Sequence, residues 1–122
     1  MPAVLIVEDD AELREIIRIA LTRRKFTVAE ASNGKEAIAQ FNPSATDVVI
    51  TNIVMPEEDG LGVIMKLKAQ KPQIKIIAMS GGGQASPRIY LDMAKVLGAD
   101  ATLVKPFHLS DLIEELDKIL LQ

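Results

Sequence analysis

The chain has 122 residues, of which 48% are hydrophobic and 25% are charged, and its formal net charge is −3. This length and apolar content predict a single globular domain, residues 1–122, and exclude a disordered chain. The mild acidity argues against direct nucleic-acid binding, which needs a concentrated basic stripe. The absence of cysteine excludes disulfides and cysteine-based zinc sites, and it fits a cytoplasmic location.

The amino terminus has no basic segment and turns acidic after the apolar run Ala3 to Val7, so no signal peptide is expected. No apolar run approaches the roughly 18 residues that span a bilayer, so no membrane partner is expected either.

The first half of the chain alternates short apolar strands with helices. Ala3 to Val7 is a continuous apolar run, typical of a strand that is covered on both faces. A helix follows, because apolar residues recur at helical spacing: Leu13, Ile16, Ile17, Ala20 and Leu21. Thr27 to Ala31 is a second strand, Asn33-Gly34 is a turn signal, and a short helix stops before Pro43.

The second half continues the alternation. The third strand, Val48 to Thr51, is rich in β-branched residues and ends at Asn52. Pro56 and Gly60 mark a turn, in which Gly60 is expected because glycine tolerates a wide range of backbone angles. Gly62 weakens the helix that follows. The remaining elements are a strand at 75–80, a flexible glycine break at 81–83, a helix at about 86–97, a strand at 101–104 and a last helix from about 109.

Five strand–helix repeats predict an α/β fold, a (βα)5 doubly wound parallel sheet with helices on both faces. Polar residues follow four of the strands: Glu8 and Asp9, Asn52, Ser80 and Lys105. The carboxyl ends of parallel strands lie along one edge of a sheet, so these side chains should converge. Carboxylates suit Mg²⁺, and a lysine with a hydroxyl suits a phosphoryl oxygen.

Each of these residues also has an ordinary explanation. Asp9 or Asp10 is a suitable cap for the first helix, and Glu12 would complete a capping box with Asp9. Asn52 is equally acceptable as a turn residue, Ser80 as a loop residue and Lys105 as a solvated lysine at a strand end. The coincidence of all these strand ends favours a functional site.

At this point the chain resembles the receiver domain of two-component response regulators, the CheY-like family. Four segments carry the resemblance: Val-Leu-Ile-Val-Glu-Asp-Asp near the start, Asp47-x4-Asn52-x2-Met55-Pro56-x2-Asp59-Gly60, Ala78-Met79-Ser80, and Gly98-Ala99-Asp100 leading to Lys105-Pro106-Phe107. The resemblance covers the whole chain. The resemblance implies a flavodoxin-like sheet in the strand order 2-1-3-4-5 and a phosphorelay protein that is not an enzyme.

The resemblance also implies roles for the converging residues. Glu8 and Asp9 would bind Mg²⁺, together with the side chain at position 52 and the backbone carbonyl of Val54. Position 52 would be the phosphoacceptor.

The resemblance gives the remaining two residues contacts with the phosphoryl group. Ser80 would bond to it through its hydroxyl. Lys105 would pair with one of its oxygens, and the bond from Lys105 to Pro106 would be cis. The implied partners are a sensor histidine kinase or phosphotransfer protein, and a downstream protein that docks on the face formed by residues 86–121.

Two positions depart from the family pattern. Asn52 stands where the family has Asp, and a neutral carboxamide is a poor nucleophile for phosphorus. The chain as written should therefore not accept a phosphoryl group, and its Mg²⁺ binding should be weakened. Thr102 stands where many receivers have an aromatic residue that moves upon activation, and threonine is too small to report that motion in the same way.

Several alternatives stay open. Asn52 is either a deliberate Asp→Asn change that locks the unphosphorylated form or a feature of a natural receiver that works by binding alone. The second case gives a phosphorylation-independent protein-binding module on the same fold. A flavodoxin-type cofactor binder is disfavoured because Glu8-Asp9-Asp10 would repel a phosphate. A phosphatase of the haloacid-dehalogenase type would need a cap domain, and the chain has no length for one.

Overall fold

The computed structural model describes residues 2–55, 60–81 and 87–121. Strands and helices alternate as the sequence predicts: β1 Ala3–Val7, α1 Ala11–Arg23, β2 Thr27–Ala31, α2 Gly34–Gln40, β3 Val48–Asn52, α3 Gly60–Gln70, β4 Lys75–Ser80, α4 Pro87–Val96, β5 Ala101–Val104 and α5 Leu109–Leu120. The predicted turn at Pro56, the glycine break at Gly82 and Gly83, and the predicted helix start near Ser86 lie outside the described residues.

The five strands form one parallel sheet in the order β2-β1-β3-β4-β5, which confirms the fold class. The register pairs Val7 with Thr51, and it pairs Asn52 with Met79. The carboxyl ends of the central strands therefore lie side by side. Among the residues that the structure describes, no helix has the length and apolar character needed to cross a membrane.

Apolar residues fill a core on each face of the sheet. Leu5 on β1 packs with α2, α3 and α4, whereas Ile6 faces the opposite side and packs with α1 and α5. Both side chains are almost fully buried. Alternate residues of a strand point to opposite faces, so a strand that is covered twice has to be apolar throughout. This explains the continuous apolar run at the start of the chain.

The structure decides which aspartate caps α1. Asp10 is the N-cap, and its Oδ1 accepts hydrogen bonds from the backbone N–H groups of Glu12 at 3.0 Å and Leu13 at 3.3 Å. Asp9 is not the cap, so the capping box that pairs it with Glu12 is wrong. Because Asp10 satisfies the helix end, Asp9 is available for other contacts.

The turn signal at Asn33-Gly34 lies where the chain passes from β2 to α2, but the helix begins earlier than the signal suggests. Asn33 is the N-cap of α2, and its Oδ1 accepts a 2.8 Å hydrogen bond from the backbone N–H of Glu36. Gly34 is the first residue of that helix. Asparagine favours helix caps and turns for the same reason, since its side chain accepts nearby backbone N–H groups.

Glycine at position 60 is required by close packing. Gly60 begins α3 and donates its N–H to the Ile53 carbonyl at 2.8 Å. A Cβ atom at position 60 would lie 2.4 Å from Ile53 Cα and 2.6 Å from the Asn52 carbonyl oxygen. The start of α3 is thus pressed against the end of β3. By contrast, a Cβ atom at Gly62 would meet no atom within 4 Å.

The two glycines of α3 should respond oppositely to alanine. Gly60→Ala forces overlap with backbone atoms and should destabilise the fold by about 1–3 kcal/mol. Gly62→Ala adds only helix propensity and should stabilise it by about 0.5–1 kcal/mol. Urea unfolding of both variants measures the difference, and an equal sign for the two changes would contradict this packing.

Candidate functional site

The carboxyl-end edge of the sheet collects the predicted site residues. Glu8 directly follows β1, Asn52 ends β3, and Ser80 ends β4. Lys105 directly follows β5, and its backbone N–H donates to the Ser80 carbonyl at 2.9 Å. The Lys105–Pro106 peptide bond is cis, as the resemblance implied.

The carboxamide of Asn52 lies at the centre of this site. Its side-chain nitrogen donates to Asp9 Oδ1 at 2.9 Å, to the Val54 carbonyl at 2.9 Å and, over a longer 3.4 Å, to Glu8 Oε2. All three partners are acceptors, so only the NH₂ end of the amide can face them. Asn52 is buried, with 5% of its surface exposed, so these contacts replace contacts with water.

The groups proposed as metal ligands thus converge on one point, and an N–H donor occupies it. Mg²⁺ takes oxygen ligands, so the amide nitrogen offers the ion no ligand in this orientation. The amide would have to turn its oxygen inward and give up its hydrogen bonds to do so. Within the described parts of the chain, no three side chains of His, Cys, Asp or Glu form a metal-binding cluster.

Glu8 is the buried charge of the site. Its side chain is inaccessible to solvent, and its Oε1 lies 2.5 Å from Lys105 Nζ. Its Oε2 accepts the backbone N–H of Asp10 at 3.0 Å. Burial raises the pKa of Glu8 above its usual value, and the bonds from Lys105 and Asp10 oppose that rise. Lys105 therefore neutralises Glu8 in this state.

Ser80 lies where the ends of β4 and β5 meet. It is almost completely buried and pairs with Val104 across the sheet. The next residue, Gly81, allows this approach, since a Cβ atom there would lie 2.5 Å from Lys105 Cβ. The sequence identified Gly81 only as part of a flexible break. Its steric role depends on a residue far along the chain.

The structure adds Arg14, which sequence reasoning missed. Its guanidinium donates to the backbone carbonyl of Glu8 at 2.8 Å and pairs with Glu30 at 3.4 Å. Arg18 contacts the same Glu30 at 3.7 Å. These contacts tie the acidic turn to α1 and β2. The only sequence signal was a pair of arginines one helical turn apart, which is common on exposed helices.

Thr102 lies on β5 opposite Ala78 and is half-buried. A threonine in that register confirms that the strand presents no aromatic side chain at this point.

The model of the response regulator receiver domain matches residues 4–117. The chain belongs to this family. It is 36% identical to the chemotaxis protein CheY of Thermotoga maritima over 95% of both chains, and 32% identical to the response regulator receiver protein CpdR of Brucella abortus over 99% of this chain and 98% of CpdR. Receiver domains are in general signalling modules without enzymatic activity, and they interact with histidine kinases or phosphotransfer proteins and with downstream effectors.

Solved receiver structures share the fold. That of the response regulator protein TrrA of Thermotoga maritima, in complex with Mg²⁺–BeF, superposes with a TM-score of 0.83 at 30% identity. The match covers 98% of this receiver and 99% of TrrA. Receiver domains generally bind Mg²⁺, whereas the Asn52 amide of this one faces the ligand groups with a donor.

Replacing Lys105 should show how strongly burial disfavours the charged form of Glu8. In Lys105→Met, the pKa of Glu8 should rise further, because the contact that lowers it is lost while burial remains. Because the pKa of Glu8 would then be higher in the folded state than in the unfolded state, the free energy of unfolding should fall as the pH rises from the unfolded-state pKa to the folded-state pKa. Carboxyl-carbon NMR titration of the parent and the variant measures the shift.

Lys118→Met is the matched control. Lys118 pairs with the exposed Glu114 and the half-buried Glu115 on α5, so its loss should leave the Glu8 titration unchanged. An unchanged Glu8 pKa in Lys105→Met would contradict the pairing of Lys105 with Glu8.

Proposed function

We propose that this receiver is not phosphorylated at position 52 and that it acts by binding partner proteins. The observation that carries the proposal is the Asn52 amide, whose nitrogen donates to Asp9 and Val54 at 2.9 Å. The site is thereby satisfied without a metal ion or a phosphoryl group.

The chemistry of the carboxamide supports the first half of the proposal. Phosphoryl transfer to a receiver needs a charged oxygen that attacks phosphorus. The Asn52 oxygen is neutral, and its nitrogen lone pair is delocalised into the carbonyl, so neither atom is an effective nucleophile. Ser80 and Lys105 remain at the neighbouring strand ends. We infer that they would contact the phosphoryl group if position 52 were able to accept one.

The hydrogen bonds of Asn52 support a weaker site for Mg²⁺. Glu8, Asp9 and the Val54 carbonyl would hold the ion, which supplies positive charge to the phosphoryl oxygens when bound. Binding to the Asn form has to break the amide contacts and proceeds with one negative charge fewer than in an aspartate receiver. Both effects lower the affinity.

Exposed apolar side chains support partner binding through the face at residues 86–121. Ile89 and Met93 on α4 and Val104 on β5 are each about half exposed. Side chains of this kind, when grouped, mark protein interaction sites. We infer that a downstream protein docks there, and that a sensor histidine kinase or a phosphotransfer protein is the partner at the carboxyl-end edge.

Asn52→Asp should restore phosphorylation. With Mg²⁺ and acetyl phosphate, the variant should gain the mass of one phosphoryl group on intact-protein mass spectrometry, and the parent should gain none. Adding Lys105→Ala to the variant should reduce the gain, because Lys105 would no longer stabilise the phosphoryl charge. A variant that stays unmodified would show that position 52 is not the acceptor.

The same substitution should destabilise the metal-free protein. A third carboxylate replaces the amide beside Glu8 and Asp9, so three hydrogen bonds are lost and like charges are added. We expect a loss of about 1–3 kcal/mol, which Mg²⁺ should reverse in Asn52→Asp and barely affect in the parent. Thermal unfolding with and without Mg²⁺ measures both effects.

Asn42→Asp is the control for added charge alone. Asn42 is exposed and its Oδ1 accepts the backbone N–H of Ser44 at 2.9 Å, a contact that aspartate keeps. This variant should retain the parent's stability and show no Mg²⁺ effect. If Asn52→Asp were as stable as the parent without Mg²⁺, the amide contacts would not hold the site together.

A further inference from the structure

Arg14 on α1 holds the acidic turn that follows β1. Its Nη1 donates to the backbone carbonyl of Glu8 at 2.8 Å. Its Nε lies 3.4 Å from Oε1 of Glu30 on β2, and only 21% of the surface of the Arg14 side chain is exposed. One guanidinium thus joins the helix that carries it to the turn and to the neighbouring strand.

The carbonyl that Arg14 binds belongs to the peptide unit between Glu8 and Asp9. A peptide unit is planar, so a hydrogen bond to its oxygen restrains the orientation of the whole unit. The N–H of Glu8 is fixed as well, because it donates to the Ala31 carbonyl at 3.0 Å. The backbone therefore enters Asp9 in a direction that is restrained on both sides of Glu8.

Asp9 depends on this backbone direction more than Glu8 does. The Glu8 side chain is fully buried and paired with Lys105. Asp9 is exposed, yet its Oδ1 accepts the 2.9 Å hydrogen bond from the Asn52 side-chain nitrogen. An exposed carboxylate is held little by packing, so the direction of its backbone decides whether it reaches Asn52.

Arginine suits this position because two of its N–H groups are used at once. Nη1 serves the Glu8 carbonyl while Nε faces Glu30, and the rigid fork keeps the two contacts in register. A lysine would keep the charge but has a single nitrogen on a flexible stem. The ion pair itself is the weaker contact, because Glu30 is partly exposed and solvent screens it.

We propose that Arg14 is a positioning residue of the Asn52 site, which holds the Glu8 carbonyl and thereby aims the Asp9 carboxylate at position 52. Arg14 acts through the backbone rather than by touching the reacting position. The inference deepens the proposed function, on which it rests for the view that position 52 is the centre of the site and that Asp9 would hold Mg²⁺.

Exchange of the Asn52 side-chain N–H protons with water tests the proposal on the intact protein. ¹⁵N NMR resolves this NH₂ group, and its signal is the one that disappears in Asn52→Asp. Arg14→Met removes both donors and keeps an unbranched side chain, so Asn52 exchange should become about fivefold faster as the bond to Asp9 weakens. Arg14→Lys should give an intermediate rate, because it keeps the charge without the fork.

Arg18→Met is the matched control. Arg18 lies one helical turn further along α1 and contacts the other oxygen of Glu30 at 3.7 Å, so its loss should leave Asn52 exchange unchanged. Two references come from the same samples. The exposed Asn42 side chain should keep its rate, and the backbone N–H of Ile50, which is buried in the middle of β3, reports any general loss of stability.

Binding of Mg²⁺ provides a second measurement. In Asn52→Asp, adding Arg14→Met should lower the affinity for Mg²⁺ about tenfold in a calorimetric titration, because a group that orients a ligand is lost. Adding Arg18→Met to the same variant should leave the affinity unchanged.

Four results would overturn the proposal. They are unchanged Asn52 exchange in Arg14→Met, equal acceleration in Arg18→Met, acceleration that Ile50 shares, and full retention of the parent rate in Arg14→Lys, which would assign the effect to charge alone. Failure of the proposed function is distinguishable. An Asn52→Asp variant that binds no Mg²⁺ would contradict that function, whereas Asn52 exchange in the parent involves no metal and decides the role of Arg14 by itself.

Discussion

The hydrogen bonds of one side-chain nitrogen hold the candidate site together. Asp9, Val54 and Glu8 all turn an oxygen towards the Asn52 amide nitrogen. These oxygens need a cation or a hydrogen-bond donor between them, because a buried acceptor without a partner destabilises the fold. The Asn52 amide supplies the protons, and Lys105 supplies a full charge to Glu8. The site is thus an internally bonded cluster in which the acidic side chains have partners within the protein.

The backbone brings these groups together through close approaches that only glycine allows. Gly60 lets α3 begin against Ile53, directly after Asn52, and Gly81 lets the end of β4 touch Lys105. The parallel sheet sets the positions of the strand ends, but these two contacts set the spacing around them. A side chain at either glycine would displace a residue next to the site. The geometry of the cluster therefore depends on packing as well as on hydrogen bonds.

Much of the fold could be predicted from the sequence, because its signals are local. Apolar runs such as Ala3 to Val7 indicate buried strands, and alternation with helices leads to a parallel sheet whose polar ends share an edge. Other features depend on distances between remote segments. Whether Asp9 or Asp10 caps α1, which way the Asn52 amide points and why position 81 needs glycine are all decided by tertiary contacts. Arg14 could not be recognised because its partner is a backbone carbonyl, which carries no sequence signal.

The Asn52 cluster and the start of α3 are connected by direct contacts. Asn52 is followed by Ile53, whose carbonyl accepts the N–H of Gly60 at 2.8 Å. Because Gly60 is also in close contact with the backbone of Asn52 and Ile53, the end of β3 cannot change position without affecting the first turn of α3. The Asn52 amide is itself bonded to Asp9 and to the Val54 carbonyl, so the acidic turn after β1, the end of β3 and the start of α3 form one chain of direct contacts.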